Sequence, residues 1–126
     1  MSPVQLAEAL AAANALLRTH PLATPRVAAV DCDSLVFEVY HCEWPPPALP
    51  AFGRLVFDAP TYVQMPVRFE WGMALHLFAG DTARHLPSLT REALVGAHVF
   101  MWHAREGDGS PPAFVVAAGL RVEMNS

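Results

Sequence analysis

The stretch YVQMPVRFEWGMALHLF, residues 62–78, limits the fold more than any other part of the chain. From residue 67 to residue 77 the odd positions are Val67, Phe69, Trp71, Met73, Leu75 and Leu77; the even positions are Arg68, Glu70, Gly72, Ala74 and His76. A period of two belongs to a strand with one apolar face. A helical period of about 3.6 residues would scatter the same apolar set around the cylinder. The pattern predicts a long central strand here, with the other elements arranged to cover it.

That cover has to hide much apolar surface. Hydrophobic residues make up 53% of the 126 residues and charged residues only 16%, against about 25% charged in an ordinary soluble domain. A chain of this length is expected to form a single domain, residues 1–126, and needs no disulfide or metal staple to build a core. With so little charge to coat the outside, either the loops carry it or a sheet face is hidden against another chain. The second option predicts a homo-oligomer or a protein partner.

The charge that is present excludes several function classes. The net charge is −4, from twelve acidic residues and eight arginines with no lysine. The arginines are spread singly, with no basic stripe to follow a phosphate backbone, so nucleic-acid binding is not expected. Without lysine there is no Schiff-base chemistry and no phosphate-loop lysine. The segment MSPVQLAEAL contains Glu8 and no cationic lead, so it does not read as a secretory signal. No apolar run reaches the roughly 18 residues of a membrane span. The expectation is a cytoplasmic protein, away from membranes, with Cys32 and Cys42 reduced.

Local signals place the remaining elements. Ser2-Pro3-Val4-Gln5 has the form of a capping box with proline in the first turn. Leu6, Leu10, Ala13 and Leu17 then make a helical stripe, with Gln5, Glu8, Asn14 and Arg18 elsewhere on the cylinder, and the helix should stop near Thr19. Residues 21–25 read as a connector. Residues 27–30 and 35–42 read as a hairpin about the turn formers Asp31, Asp33 and Ser34. Residues 43–50, rich in proline, read as a stiff extended crossing. Residues 52–57 read as a strand, and residues 89–95 as a short helix capped by Ser88 or Thr90 and stopped by Gly96. Residues 97–104 and 113–124 read as two more strands, joined by a mobile turn at residues 105–112.

The last two strands carry little charge on either face before Arg121 and Glu123. An antiparallel sheet with one wet side alternates more cleanly. Something is therefore expected on both sides: the N-terminal helix on one, and a rolled-over sheet or a second subunit on the other. The predicted fold class is α+β: an N-terminal helix packed on a bent antiparallel sheet of five to seven strands, barrel-like closure being one option, with one short additional helix.

Candidate chemistry is thin. Asp31-Cys32-Asp33 and His41-Cys42-Glu43 hold ligands that zinc accepts, but a hairpin turning at residues 31–34 separates the triplets by roughly 25 Å at about 3.3 Å per residue. No metal site is assigned there. A reactive thiol needs a base or a helix N-terminus beside it, and on a strand His41 points away from Cys42. His98 and His103, five apart on one strand, face opposite ways. The remaining constellation is Arg68, Glu70 and His76 on the polar side of the central strand. Arg68 and Glu70 are spaced to pair, and Trp71 and Trp102 are placed to wall a pocket. No phosphate loop, nucleophile elbow or zinc-protease motif is present.

The reading therefore leans away from an enzyme and assigns no catalytic residue, metal ligand or cofactor. It favours a protein-interaction module forming a homodimer through apolar sheet surface. The alternative is a small-molecule pocket, binding or enzymatic, inside the rolled sheet, with Arg68, Glu70, His76, Trp71 and Trp102 as its ligand-binding residues.

Overall fold

A computed structural model describes residues 1–66, 68–104 and 113–125. The turn expected at residues 105–112 lies outside them, as does Val67. The chain opens with helix α1 (Pro3–Leu17). The Ser2 hydroxyl accepts the Gln5 N–H at 3.1 Å, and Gln5 Oε1 accepts the Ser2 N–H at 2.9 Å. Both halves of the capping box thus satisfy donors that the first helical turn leaves open.

Strands β1 (Ala23–Val30), β2 (Ser34–His41) and β3 (Gly53–Asp58) follow, then β4 (Tyr62–Gln64) and β5 (Met73–Leu77). Short helices α2 (Thr82–His85) and α3 (Arg91–Leu94) precede β6 (His98–Ala104), β7 (Ala113–Ala117) and β8 (Gly119–Met124). The strands form two four-stranded antiparallel sheets, in the orders β1-β2-β3-β8 and β4-β7-β6-β5. The expected α+β class with a bent antiparallel sheet is present, and the sheets do not close into a barrel.

The bend is made by two strand pairs that pass from one sheet into the other, since β3 leads into β4 and β7 into β8. At this corner the Ala118 N–H donates to the Asp58 carbonyl at 2.8 Å, and the Ala59 N–H to the Asp33 carbonyl at 2.9 Å. Ala59 sits in the left-handed region with φ 48°, a conformation that alanine rarely adopts. Folded over this corner, the inner faces meet through aromatic side chains. Phe57 lies 5.2 Å from Phe100, and Phe37 5.1 Å from Trp102, spacings that suit tilted and edge-on rings. Helix α1 closes the side, burying Leu6, Ala13, Leu16 and Leu17. Leu16 reaches Gly53, where an added Cβ would stand 2.6 Å from the Glu123 carbonyl oxygen and 3.0 Å from a Leu16 methyl.

Strand β7 has both faces buried. Ala113, Val115 and Ala117 join the inner core, and Phe114 and Val116 are buried on the outer side. The outer cover comes from the chain itself. Phe78, just after β5, packs edge-on against Phe114 at 5.1 Å. The Thr61 hydroxyl bonds the Ala93 carbonyl of α3 at 2.8 Å and the Val116 carbonyl of β7 at 3.5 Å.

Several expectations need correction. Residues 113–124 are two strands, β7 and β8, in different sheets, and residues 43–50 run through turns rather than extended, with the Ala48 N–H donating to the Pro45 carbonyl at 3.0 Å. The central strand over residues 62–78 is not continuous: β4 and β5 stand at opposite edges of their sheet, joined by an excursion through residues 65–72. Pro66 has no N–H for a ladder, and Gly72, with φ 75°, turns the chain back into β5. Strand β1 begins at Ala23, inside the expected connector, and pairs Ala23 with His41. The helical stripe omits two residues. Leu16 is fully buried, and Asn14 makes paired hydrogen bonds to the edge strand β5. The Leu75 N–H donates to Asn14 Oδ1 at 2.9 Å, and Asn14 Nδ2 donates to the Leu75 carbonyl at 2.7 Å.

Asn14 thereby stands in for a neighbouring strand at one position of β5. Asn14→Ala should cost about 1–3 kcal/mol in urea denaturation, because it strands two part-buried backbone groups. Hydrogen exchange at the Leu75 amide should accelerate in the same variant. Unchanged stability together with unchanged exchange would mean that the amide only decorates the edge.

Candidate functional site

The five residues singled out from the sequence occupy three separate places. Trp102 is fully buried in the core, 5.1 Å from Phe37 and 5.2 Å from Phe69 by ring centroids. Its indole N–H meets no acceptor among the described residues. Phe37 and Phe69 pack against it, and Phe57 and Phe100 continue the aromatic cluster between the sheets. Trp71 is 54% exposed on the excursion between β4 and β5. Arg68 and Glu70 are exposed on the same excursion, with Phe69 between them turned into the core. Among the described residues no ion pair joins Arg68 to Glu70.

Arg68 and Glu70 do share a groove of about 680 Å³ on the protein surface. Its other walls are Met65, Pro66 and Phe69 from the excursion, and Arg26, Val27 and Tyr40 from β1 and β2. The Arg26 guanidinium stands 4.9 Å above the Tyr40 ring and bonds Glu38 at 2.8 Å. The groove therefore has an apolar floor and mixed charge at its rim, and it runs beside the outermost strand β1. His76 is not part of it.

His76 lies on β5, where its ring packs against His103 of β6, centroids 4.4 Å apart and planes at 62°. The register explains the contact. His76 is opposite Met101 and Ala74 is opposite His103, so the two histidines are diagonal neighbours on the outer face of the sheet. The His103 Nδ1–H donates to the Ala104 carbonyl at 3.2 Å, and among the described residues its Nε2 has no partner. Burial first, and the His103 imidazole second, hold the His76 pKa below its ordinary value.

A second histidine pair lies at the far end of β2. His20 and His41 have ring centroids 4.5 Å apart, and His20 also stacks on Phe52. Here each Nδ1 accepts a backbone N–H: His20 from Leu22 at 3.0 Å, His41 from Glu43 at 3.2 Å. Each neutral ring therefore carries its proton on Nε2. Sequence spacing gave no sign of either pair, because each depends on chain segments brought together across a fold.

The outer face of the β1-β2-β3-β8 sheet is organised by charge. Arg26, Glu38, Arg54 and Glu123 are successive cross-strand partners, so the sign alternates across all four strands. Arg121 adds contacts to Glu123 at 3.2 Å and Asp58 at 3.6 Å. Such exposed pairs add little stability, but they make this face wet and unsuited to apolar docking. A second surface cleft, of about 420 Å³, lies between Glu38, Arg54 and Glu123 of this face and Pro46 and Pro50. Cys32, in the hairpin turn, and Cys42, just past β2, are free thiols, and among the described residues no cluster of three or more His, Cys, Asp or Glu could hold a metal ion.

The depressed pKa of His76 makes stability depend on pH. The neutral ring is favoured in the fold, so its contribution is complete above the unfolded value of about 6.5 and is lost as pH falls through the lower folded value. Urea midpoints taken in chelator-treated buffer from about pH 8 down to about pH 5 should fall more steeply for the wild type than for His76→Gln. Parallel profiles would contradict this. Comparison with known proteins gives no match to a family model, to a curated protein or to a solved structure.

Proposed function

We propose that this chain is a non-enzymatic protein-interaction module that forms a homodimer through the free edge of β1. The observation that supports this reading is the unequal treatment of the four sheet edges. Edge β5 is met by Asn14, and edge β8 by helix α1, with the Leu120 N–H directed to Met1 Sδ at 3.2 Å. Edge β4 is three residues long. Edge β1 is eight residues long and exposed from Arg26 to Val30. Its stretch Val27-Ala28-Ala29-Val30 has no charge, and an open uncharged edge is a template for strand pairing.

Pro25 and a register shift between Val27 and Ala29 blunt this edge and set where a partner can pair. About a two-fold axis near Ala28, Arg26 of one copy would face Val30 of the other, keeping the two guanidinium groups apart. Edge pairing alone buries less than the roughly 1,200 Å² of a stable interface. The apolar groups still open in the adjoining groove, Met65 and Pro66, would add to it, at about 25 cal/mol per Å² removed from water. The reading also includes a cytoplasmic setting, supported by free thiols at Cys32 and Cys42, the state that reducing compartments maintain.

A second reading rests on the groove alone. Its volume is that of a small-ligand site, and Arg68 and Glu70 stand ready at its rim to orient a polar group. It differs from the dimer reading in what removes it, since a ligand site survives when β1 is charged.

Analytical ultracentrifugation at micromolar concentration tests the proposal. The wild type should sediment as a dimer, and Val30→Lys as a folded monomer with an unchanged circular-dichroism spectrum, because Val30 is 65% exposed. A wild-type monomer throughout that range, or a dimer untouched by the lysine, would overturn it.

A further inference from the structure

The two histidine pairs are alike in spacing and opposite in chemistry. From that contrast we infer that His76 and His103 form a binding site for a borderline first-row divalent cation such as zinc, cobalt or nickel, and that His20 and His41 do not. The inference is independent of the dimer.

Three observations support it. The first is tautomeric. A neutral imidazole that binds a metal through Nε2 keeps its proton on Nδ1, held by a carbonyl or carboxylate. His103 has that arrangement, with Nδ1–H donating to the Ala104 carbonyl and Nε2 unpartnered among the described residues. His20 and His41 have the reverse, with Nδ1 occupied by the Leu22 and Glu43 N–H groups. Moving a proton onto either Nδ1 to free Nε2 would set two donors against each other.

The second is reach. Two nitrogens sharing a tetrahedral zinc stand roughly 3.3 Å apart, given zinc–nitrogen bonds of about 2.0–2.1 Å. Rings centred 4.4 Å apart on diagonal cross-strand positions are near enough to share one ion once their edge-on packing opens. The third is access. Both rings are part-buried on the outer face of an edge strand and its neighbour, open enough for an ion to enter.

Imidazole nitrogen suits borderline divalent ions rather than magnesium or calcium. With two protein ligands, solvent completes the coordination. The site is therefore an open one of modest affinity, unlike the closed four-ligand sites that fold small domains.

Titration with cobalt(II) and zinc(II), followed by absorption and calorimetry on the full chain, tests this. The wild type should bind one equivalent without a sulfur-to-cobalt charge-transfer band. His76→Gln and His103→Gln should each weaken binding by about a hundredfold, at least what losing a second-shell partner costs. His41→Gln should bind as the wild type does. Should a glutamine variant fail to fold, nickel-induced broadening of imidazole resonances in the wild type gives the same answer, and it should be confined to His76 and His103. No binding by the wild type, binding unchanged in both variants, equal loss in His41→Gln, broadening at other histidines, or a charge-transfer band reporting Cys32 or Cys42 would each overturn the inference.

Discussion

Burial of both faces of Ala113–Ala117 is the constraint on which the other elements of this protein depend. A strand with a hydrophobic residue at each position, buried on either side, cannot border water. Its inner face is covered when the sheet bends at Ala118 and brings Phe57 onto Phe100. Its outer face is covered by Phe78 and the stretch carrying the two short helices. Removing either cover would expose phenylalanine or valine, at a cost of about 1.5–3 kcal/mol for each large side chain. The low charge of the chain is thereby accounted for largely within one molecule, since the sheet rolls onto itself before any partner is needed.

What remains outside is divided between charge and edge. The β1-β2-β3-β8 sheet presents an alternating row of arginine and glutamate to solvent, which keeps that face wet without a net field. Helix α1 serves two edges at once, with Met1 near β8 and Asn14 against β5. Among the described residues β1 is the long edge strand left without such a device, and the groove beside it carries Arg68 and Glu70. The functional reading grows from this asymmetry between the sheet edges.

Local signals were legible in the sequence and long-range ones were not. The capping box at Ser2 and Gln5, the Asp31 turn and the Thr90 cap depend on residues a few positions apart, and each forms as read. The Asp31 side chain accepts the N–H groups of Asp33 and Ser34, which is the turn its composition suggests. The alternation is a strand over Met73–Leu77 and misleads over residues 68–72, because a loop can imitate it. Phe69 turns inward between exposed Arg68 and Glu70, as on a strand, while Trp71 and Leu77 of the supposed buried face are 54% and 38% exposed. Asn14 stands off the apolar stripe of its helix, and its contact is not legible in the sequence because its partner, Leu75, lies 61 residues away. The contact of His76 with His103 depends on the register between β5 and β6, and two helices intervene between those strands.

Hydrogen exchange measured at several protein concentrations tests most directly the claim that the chain covers its own sheet and, among the described residues, leaves β1 as the long open edge. The account predicts strong protection of residues 113–117 even in dilute solution, and protection of residues 26–30 that rises with concentration. Rapid exchange of residues 113–117 in dilute protein would contradict it, because the outer cover would then have to come from another molecule.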